Sequence, residues 1–393
     1  MKMMICKEIL IFFTREIFLQ MEKLQLLPLE FDFDSKVILK KIASTHRRLA
    51  ELKGIIDTIP NQSILINTLA LQEAKDSSAI ENIITTHDEM FRAQLVDENL
   101  HNAATKEVSS YAEALICGFE IVKKTGMLSN KDILRIQQIL KKNDAGFRKL
   151  PGTALKNQAT GETVYTPPQS YDEIVVLMNN LEKFINNSSL VDIDPLVKMA
   201  IIHFQFESIH PFYDGNGRTG RVINILYLVL SGLLDIPVLY LSRFIIRNKA
   251  EYYRLLQTVR EKNTWEEWVL FMLSGVEQIS METIDLIKKV RILMQDYKQR
   301  IRAQFPFYSQ DLLNNLFKHP YTKIEFAMKD LGISRPTAAK YLDELSNNGF
   351  LRKEKIGKYN YYVNQPLFEL FAMPEKNNSS EMTSILTTNP TEL

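Results

Sequence analysis

Residues 210–221, HPFYDGNGRTGR, limit most strongly what this chain can fold into. They lie between two apolar stretches, residues 201–209 and 222–229, whose composition is typical of buried helices. Pro211 cannot continue the first helix, and the glycines that follow allow a tight turn in which the backbone approaches a ligand closely. The segment therefore predicts a helix, an anion-binding loop and a second helix, in that order.

The start of the second predicted helix has the features of a phosphate site. The backbone amides of Gly215, Asn216 and Gly217 would point towards a ligand at the helix N-terminus. Arg218 and Arg221 are three residues apart, so their side chains share one face of that helix. A guanidinium group presents paired donors to phosphate oxygens. The pattern therefore indicates electrostatic binding of a polyphosphate.

Two further side chains suggest chemistry on a bound nucleotide. His210 lies where the helix gives way to the loop, and a histidine there can take the proton of a substrate hydroxyl. Asp214 is the only carboxylate of the segment. It could bind Mg2+, an ion that takes one or two carboxylates together with phosphate oxygens. With the arginines, these residues indicate a triphosphate nucleotide held beside a general base.

The segment resembles the signature of the Fic family, His-x-Phe-x-[Asp/Glu]-Gly-Asn-Gly-Arg-x-x-Arg, and every specified position matches. The resemblance implies a homodimeric enzyme that transfers AMP from ATP to a Ser, Thr or Tyr hydroxyl of a target protein, or of itself. Mg2+ is then the expected cofactor, and ATP and the target are the expected partners. The implied roles are His210 as base, Phe212 as core anchor, Asp214 as Mg2+ ligand, Asn216 and the glycine amides on the α and β phosphates, Arg218 on the β phosphate and Arg221 on the γ phosphate.

A second segment, residues 69–83, has the periodicity of a helix and places Ser77 and Glu81 on one face. From periodicity alone, they belong to the polar face of an amphipathic helix. The order Ser77-x-x-x-Glu81-Asn82, however, resembles the inhibitory helix of many Fic proteins. That resemblance implies that Glu81 pairs with Arg221 and occupies the γ-phosphate position. In some relatives the same glutamate assists removal of AMP, so a bifunctional enzyme is an alternative.

Other interpretations of the same residues stay open. Glu207 and His210 have the spacing of a di-iron ligand pair, which Glu98 and His101 repeat, although this leaves the arginines unexplained. Fic relatives that transfer phosphate carry a lysine in place of Gly217, so the glycine argues against that reaction. A DNA-binding regulator whose core only senses nucleotide is a further alternative.

Residues 148–168 interrupt the helical pattern and predict a β-hairpin. In Fic proteins the matching segment is a flap beside the active site, whose strand edge aligns the target backbone. The same resemblance places Tyr252 or Tyr253 in the adenine pocket, whereas aromatic residues of this region are core residues by default. The candidate target-docking residues of the flap are Thr163, Val164 and Tyr165.

From residue 309 onwards, the pattern changes to three short helices and a hairpin, which is the order of a winged helix. Residues 298–360 contain twelve Lys or Arg and six Asp or Glu, an excess that would attract phosphate. Winged helices also bind proteins, so DNA is one of two possible partners. The candidate DNA contacts are Arg335, Thr337, Lys340, Lys353 and Lys355.

Apolar residues recur at helical spacing in residues 35–59, 61–83, 106–124, 130–142, 171–186 and 192–206. We therefore predict a mainly α protein that consists of a Fic helical core with a β-hairpin flap, plus a C-terminal winged-helix domain. The expected divisions are residues 1–20, a non-native or dispensable extension; 21–104, a helical segment with the inhibitory helix; 105–300, the Fic core; 301–372, the winged helix; and 373–393, a disordered tail.

Composition agrees with an intracellular enzyme. Cys6 and Cys117 are the only cysteines, which excludes a disulfide framework and a cysteine-rich zinc site. The formal net charge of +1 gives no overall attraction to nucleic acid or membrane. The longest uncharged apolar run near the N-terminus, residues 9–13, is too short for a signal peptide. The first twenty residues as a whole carry too many charges to span a membrane, so the expected location is the cytoplasm.

Overall fold

The computed structural model describes residues 24–93, 102–156, 160–356 and 359–372. The predicted mainly helical fold is confirmed, with two small antiparallel sheets in this part of the chain. The described residues divide into two compact units, with the boundary between Ile292 and Leu293. The predictions for residues 1–20, for Glu98 and His101 and for the C-terminal tail lie outside the described residues.

The elements of the first unit are numbered in chain order. Its strands are β1 (Leu155–Lys156) and β2 (Thr163–Tyr165), which pair antiparallel as the predicted hairpin. The helices are α1 (Lys36–Ile56), α2 (Ser63–Ile80), α3 (His87–Ala93), α4 (Ala103–Thr125), α5 (Asn130–Lys141), α6 (Tyr171–Asn186), α7 (Pro195–Ile209), α8 (Asn216–Leu230), α9 (Ser242–Arg247), α10 (Lys249–Lys262) and α11 (Trp265–Gln304), which continues into the second unit.

Two helix ends near the motif differ from the sequence prediction. The Asp194 carboxylate caps the amide end of α7 and Pro195 occupies its first turn, so the helix starts there and not at residue 192. It also continues to residue 209, directly before His210. Helix α2 ends at Ile80, three residues earlier than predicted, which leaves Glu81 just beyond the last helical residue.

Helices α7 and α8 form the centre of the first unit. Every residue from Leu196 to Ile209 is buried, and so is most of α8. A helix that is enclosed on all sides needs apolar residues all round, as both sequences provide. Helix α6 packs on α7, whereas α2, α4 and α5 pack on α8. The loop between α7 and α8 is thus held between two fixed helices.

The second unit contains the predicted order of three helices and a hairpin. It comprises α12 (Gln310–Lys318), β3 (Tyr321–Lys323), α13 (Ile324–Leu331), α14 (Arg335–Asn347), β4 (Arg352–Ile356), β5 (Tyr359–Val363) and α15 (Gln365–Ala372). The strand order is β3-β5-β4, antiparallel throughout. Strand β3 and helix α15 were not predicted, and residues 357–358 lie outside the described residues. No described helix is long and apolar enough to cross a membrane.

Gly118 lies where α4 packs against α5 and α8. A Cβ atom there would lie 2.6 Å from Leu226 Cδ1 and 3.0 Å from Ile136 Cδ1. We expect Gly118→Val to lower the free energy of unfolding by about 1–3 kcal/mol through overpacking, measured by urea denaturation. Gly54 of α1 is the matched control because nothing lies within 4 Å of its added Cβ. Gly54→Val should change stability by less than about 0.5 kcal/mol, and equal losses at both sites would contradict close packing at Gly118.

Candidate active site

His210 follows α7 in the left-handed conformation, with φ 49°. Few residues other than glycine adopt this conformation, and histidine is among the enriched ones. Burial, together with the charge of Arg148, lowers the pKa of His210 to about 4. The imidazole is therefore neutral at pH 7 and can accept a proton.

Arg148 holds the loop that contains His210. Its backbone N–H donates to the Pro211 carbonyl at 2.8 Å, and its Nε donates to the His210 carbonyl at 2.8 Å. Its Nη2 donates to the carbonyl of Pro168, where the flap hairpin returns to α6. The side chain is fully buried. Sequence reasoning missed Arg148 because its partners are backbone carbonyls 20 and 62 positions away, which leave no pattern in the sequence.

Hydrogen bonds inside the motif fix the turn between α7 and α8. The Asn216 side chain accepts from the Phe212 N–H and donates to the Phe212 carbonyl, both at 2.8 Å. Gly215 has φ 78°, a conformation that favours glycine, and its N–H donates to Asp214 Oδ1 at 2.6 Å. The Asn216 side chain thus stabilises the turn. Its backbone N–H, at the start of α8 where no side chain caps the helix, is the group placed to meet a phosphate.

Glu81 contacts both motif arginines. Its Oε1 lies 3.1 Å from Arg221 Nη2, and its Oε2 lies 2.7 Å from Arg218 Nε. Arg221 also donates from Nε to Ser77 Oγ at 2.8 Å and from Nη2 to the Ser77 carbonyl at 2.9 Å. Only 1% of Arg218 and 2% of Arg221 are exposed. The predicted grouping of Ser77, Glu81 and Arg221 is present, and Arg218 joins it, which the sequence did not predict.

Gly217 provides the space for this ion pair. A Cβ atom at Gly217 would lie 3.0 Å from Arg221 Nη1 and 3.1 Å from Glu81 Oε1. Burial alone would lower the pKa of Arg221, but the neighbouring Glu81 carboxylate raises it overall. Arg221 thus stays charged and requires an anion beside it, either a carboxylate or a phosphate.

A second set of charges reaches the site from α4 and α5. Glu107 Oε2 lies 2.5 Å from Arg218 Nη1 and 3.6 Å from Lys141 Nζ. Lys141 Nζ also lies 2.6 Å from Asp214 Oδ2. Neither Glu107 nor Lys141 belongs to a sequence motif. The packing of α4 and α5 against α8 is what brings them to the arginines.

Asp214 is a suitable ligand for Mg2+. Its side chain is 64% exposed at the edge of the site. Burial raises the pKa of Asp214, but the hydrogen bond and charge of Lys141 outweigh this effect and hold the pKa below its usual value. The carboxylate is therefore charged and within reach of a bound ion. Among the described residues, no three His, Cys, Asp or Glu side chains are grouped in a way that could hold a metal ion. The ligand set of the di-iron alternative is therefore not present in that part of the chain.

The two tyrosines predicted for the adenine pocket differ in exposure. Tyr252 is 2% exposed, and its hydroxyl lies 2.9 Å from Nε2 of the buried His203. Tyr253 is 50% exposed and packs edge-on against Tyr252, with ring centroids 5.2 Å apart. Partial burial raises the pKa of Tyr253, and the charges of Arg221 and Glu207 also act on it. Tyr253 is thus the one whose ring has an open surface near the motif.

The flap residues also divide into two kinds. Thr163 and Val164 are exposed on β2. The Tyr165 hydroxyl donates instead to the Ser208 carbonyl at 3.0 Å, and the guanidinium of Arg260 lies 3.9 Å from the centre of the Tyr165 ring. Tyr165 therefore attaches the hairpin to α7, and Thr163 and Val164 form its open part.

The predicted DNA contacts lie on α14 and β4 of the second unit. Arg335 pairs with Glu325 and Lys353 pairs with Asp343, each at 2.6 Å. Ion pairs this exposed are weak, so neither lysine nor arginine is fixed by its partner. The remaining predicted contacts are the exposed Lys340 and Lys355 and the partly exposed Thr337.

Three family models match separate parts of the chain. The Fic/DOC family N-terminal model matches residues 39–120, and the Fic/DOC family model matches residues 127–228. The model for the C-terminal domain of SoFic-like protein adenylyltransferases matches residues 293–367. The chain is therefore similar to Fic family proteins in three separate parts. It combines the N-terminal region that carries Glu81, the Fic domain that carries the motif, and a SoFic-like C-terminal domain.

Relatives with assigned names match parts of the chain at modest identity. Protein adenylyltransferase fic-1 of Caenorhabditis elegans is 34% identical over 89 residues, which are 23% of this chain and 16% of that protein. A probable protein adenylyltransferase of Aquifex aeolicus is 30% identical over 210 residues, or 53% of this chain and 60% of that protein. The chain thus spans less than two thirds of either relative. A Fic family protein from Desulfovibrio desulfuricans G20 shares the fold, with a TM-score of 0.50 and 22% identity over 82% of this chain and 95% of that one.

Replacing Arg148 should loosen the His210 loop and the flap together. Arg148→Met removes charged hydrogen bonds to the carbonyls of His210 and Pro168. We expect the free energy of unfolding to fall by about 2–4 kcal/mol, because each such bond contributes roughly 1.5–3 kcal/mol. Limited proteolysis should then cleave residues 149–168 faster. Arg135→Met on α5 is the control, since Arg135 is exposed and bonds to Gln138 of its own helix. If both variants resist protease as the parent does, Arg148 does not fix the loop.

Proposed function

We propose that this chain is a protein adenylyltransferase, which transfers AMP from Mg-ATP to a Ser, Thr or Tyr hydroxyl of a target protein and of itself. The observation that carries the proposal is the convergence of two buried arginines, Arg218 and Arg221, on one carboxylate at the uncapped start of α8. Such a site fits the β and γ phosphates of a triphosphate nucleotide. The adenylyltransferase names of the relatives support the same activity.

Because the His210 imidazole is neutral, it can act as the general base. It takes the proton of the target hydroxyl while the hydroxyl oxygen attacks the α phosphorus. As the new O–P bond forms, the bond from the α phosphorus to the bridging oxygen breaks, and pyrophosphate leaves with that electron pair. Arg218 and Arg221 stabilise the charge that develops on the pyrophosphate. Asp214 would hold Mg2+, which neutralises phosphate charge when bound.

Neighbouring elements would place the other reactants. The open part of β2, with Thr163 and Val164, offers a strand edge for the target backbone. The exposed ring of Tyr253 offers a surface for the adenine base. DNA contact through the second unit, a homodimer and removal of AMP stay predictions.

Glu81 makes the site autoinhibited in this proposal. Its two oxygens lie on Arg221 and Arg218, the groups that the γ and β phosphates require. ATP must therefore displace the carboxylate, or bind with its triphosphate out of line for attack on the α phosphorus. Inhibition and nucleotide binding compete for the same two guanidinium groups.

Protein should take up label from ATP radiolabelled at the α phosphate and not from ATP radiolabelled at the γ phosphate, when the full chain is incubated with Mg2+ and a cell lysate. His210→Ala should retain nucleotide affinity and lose at least about a hundredfold in transfer, because only the base is removed. Since the pKa of His210 is about 4, its protonation should not slow transfer until the pH approaches that value. His46→Ala is the control, because His46 bonds to Asp194 away from the motif.

Label from the γ position would instead indicate phosphate transfer. Full activity of His210→Ala would remove His210 from the mechanism. Nucleotide binding without either label would contradict the transferase assignment.

Glu81→Gly should raise self-modification by at least about tenfold, because a charged contact at a partly buried site contributes roughly 1.5–3 kcal/mol. In an Arg221→Ala background the same change should raise transfer only about two- to threefold, since only the contact with Arg218 remains to be released. Asp76→Ala is the control on the same helix, because Asp76 pairs with Arg243. Activation by Asp76→Ala, or equal activation by Glu81→Gly in both backgrounds, would show that Glu81 does not act through Arg221.

A further inference from the structure

We propose that Lys141 is an additional phosphate-binding residue, which Asp214 and Glu107 hold in place until the nucleotide arrives. The inference rests on the proposed function and adds a third cation to its phosphate site. It concerns a residue on α5, outside the motif and outside α8. The evidence is the position of one ammonium group between two carboxylates.

Helix α5 presents Lys141 directly to the motif. Lys141 is the last residue of α5, and its aliphatic stem lies over Gly215, where an added Cβ would approach Lys141 Cδ within 3.2 Å and Cγ within 3.3 Å. The stem therefore covers the turn at the start of α8. Only 14% of the Lys141 side chain is exposed, which leaves its ammonium group little freedom to move into solvent.

Glu107 marks the point on which Lys141 and Arg218 converge. A single oxygen, Glu107 Oε2, lies 2.5 Å from Arg218 Nη1 and 3.6 Å from Lys141 Nζ. An anionic oxygen at this point therefore meets a guanidinium and an ammonium group at once. Phosphate oxygens bind such pairs, with lysine acting as a point charge and arginine as a directional donor. Glu107 Oε2 thus occupies the position that a phosphate oxygen would take.

The charges of the site also favour this exchange. In the structure, three cations (Arg218, Arg221 and Lys141) lie against three carboxylates (Glu81, Glu107 and Asp214). When Asp214 binds a divalent ion, the ammonium of Lys141 loses its shortest ion pair. The anions nearest to it are then Glu107 and the phosphates bound by Arg218. With Asp214 holding a divalent ion, the ammonium of Lys141 would be free to bind a phosphate of the nucleotide.

Two test variants of the full chain, Lys141→Met and Glu107→Gln, examine this role through binding and not through transfer. Lys141→Met keeps the stem over Gly215 and removes the charge, and Lys141→Arg is the charge-retaining control. Mn2+ binding without nucleotide, followed by electron paramagnetic resonance, should become roughly tenfold tighter in Lys141→Met, because the cation that pairs with the Asp214 carboxylate is gone. Binding of Mg-ATP, followed by titration calorimetry, should become roughly tenfold weaker, because a phosphate ligand is lost.

Glu107→Gln should act in the opposite direction on the nucleotide. It removes the carboxylate that competes with phosphate, so Mg-ATP should bind about three- to tenfold more tightly. A purely structural role of these residues would weaken nucleotide binding in both variants, or change it in neither, and would overturn the proposal. Tighter Mn2+ binding with unchanged Mg-ATP affinity in Lys141→Met would also overturn it, since Lys141 would then only shield Asp214. Normal Mg-ATP binding without AMP transfer in the parent chain would count against the proposed function alone.

Discussion

The first unit is organised around the neutralisation of two buried guanidinium groups. Arg218 and Arg221 lie on the first two turns of α8 and are almost fully buried, so an unpaired charge there would be strongly destabilising. Helix α2 supplies Glu81 and Ser77, and α4 supplies Glu107. The packing of three elements distant in sequence is therefore coupled to the charge of the motif. In the proposed function, a nucleotide replaces these carboxylates because its phosphate oxygens satisfy the same requirement.

The loop between α7 and α8 is fixed by a different means, namely hydrogen bonds to backbone carbonyls. Arg148 bonds to the carbonyls of His210 and Pro168, and Asn216 bonds to both backbone groups of Phe212. The backbone is thus fixed at His210 by Arg148 and two residues later, at Phe212, by Asn216. Because Arg148 also reaches the end of the flap, one buried side chain fixes His210 and the hairpin relative to each other.

Much of this could be predicted from sequence where the signal was local. The motif combines its chemistry within twelve residues, and the central helices have clear apolar periodicity. The contact of Glu81 with Arg221, 140 positions away, followed only from the resemblance to Fic proteins. Glu107 and Lys141 could not be predicted, because ordinary charged residues on amphipathic helices give no sign of which neighbour they will meet. Strand β3, three residues long, was too short to show alternation.

Glu81 lies directly after the last residue of α2, so its position depends on the final turn of that helix. The middle of that helix is anchored by the buried Glu73, which accepts a hydrogen bond from the Tyr111 hydroxyl at 2.9 Å. Its end is held by Arg221 and by Lys249, whose ammonium donates to the Ile80 carbonyl at 2.6 Å. Fraying of this last turn withdraws Glu81 while the rest of α2 stays packed. Under the proposed autoinhibition, the local stability of one helical turn sets the fraction of molecules in which Glu81 is withdrawn. That fraction can change by orders of magnitude while the global stability of the protein stays the same.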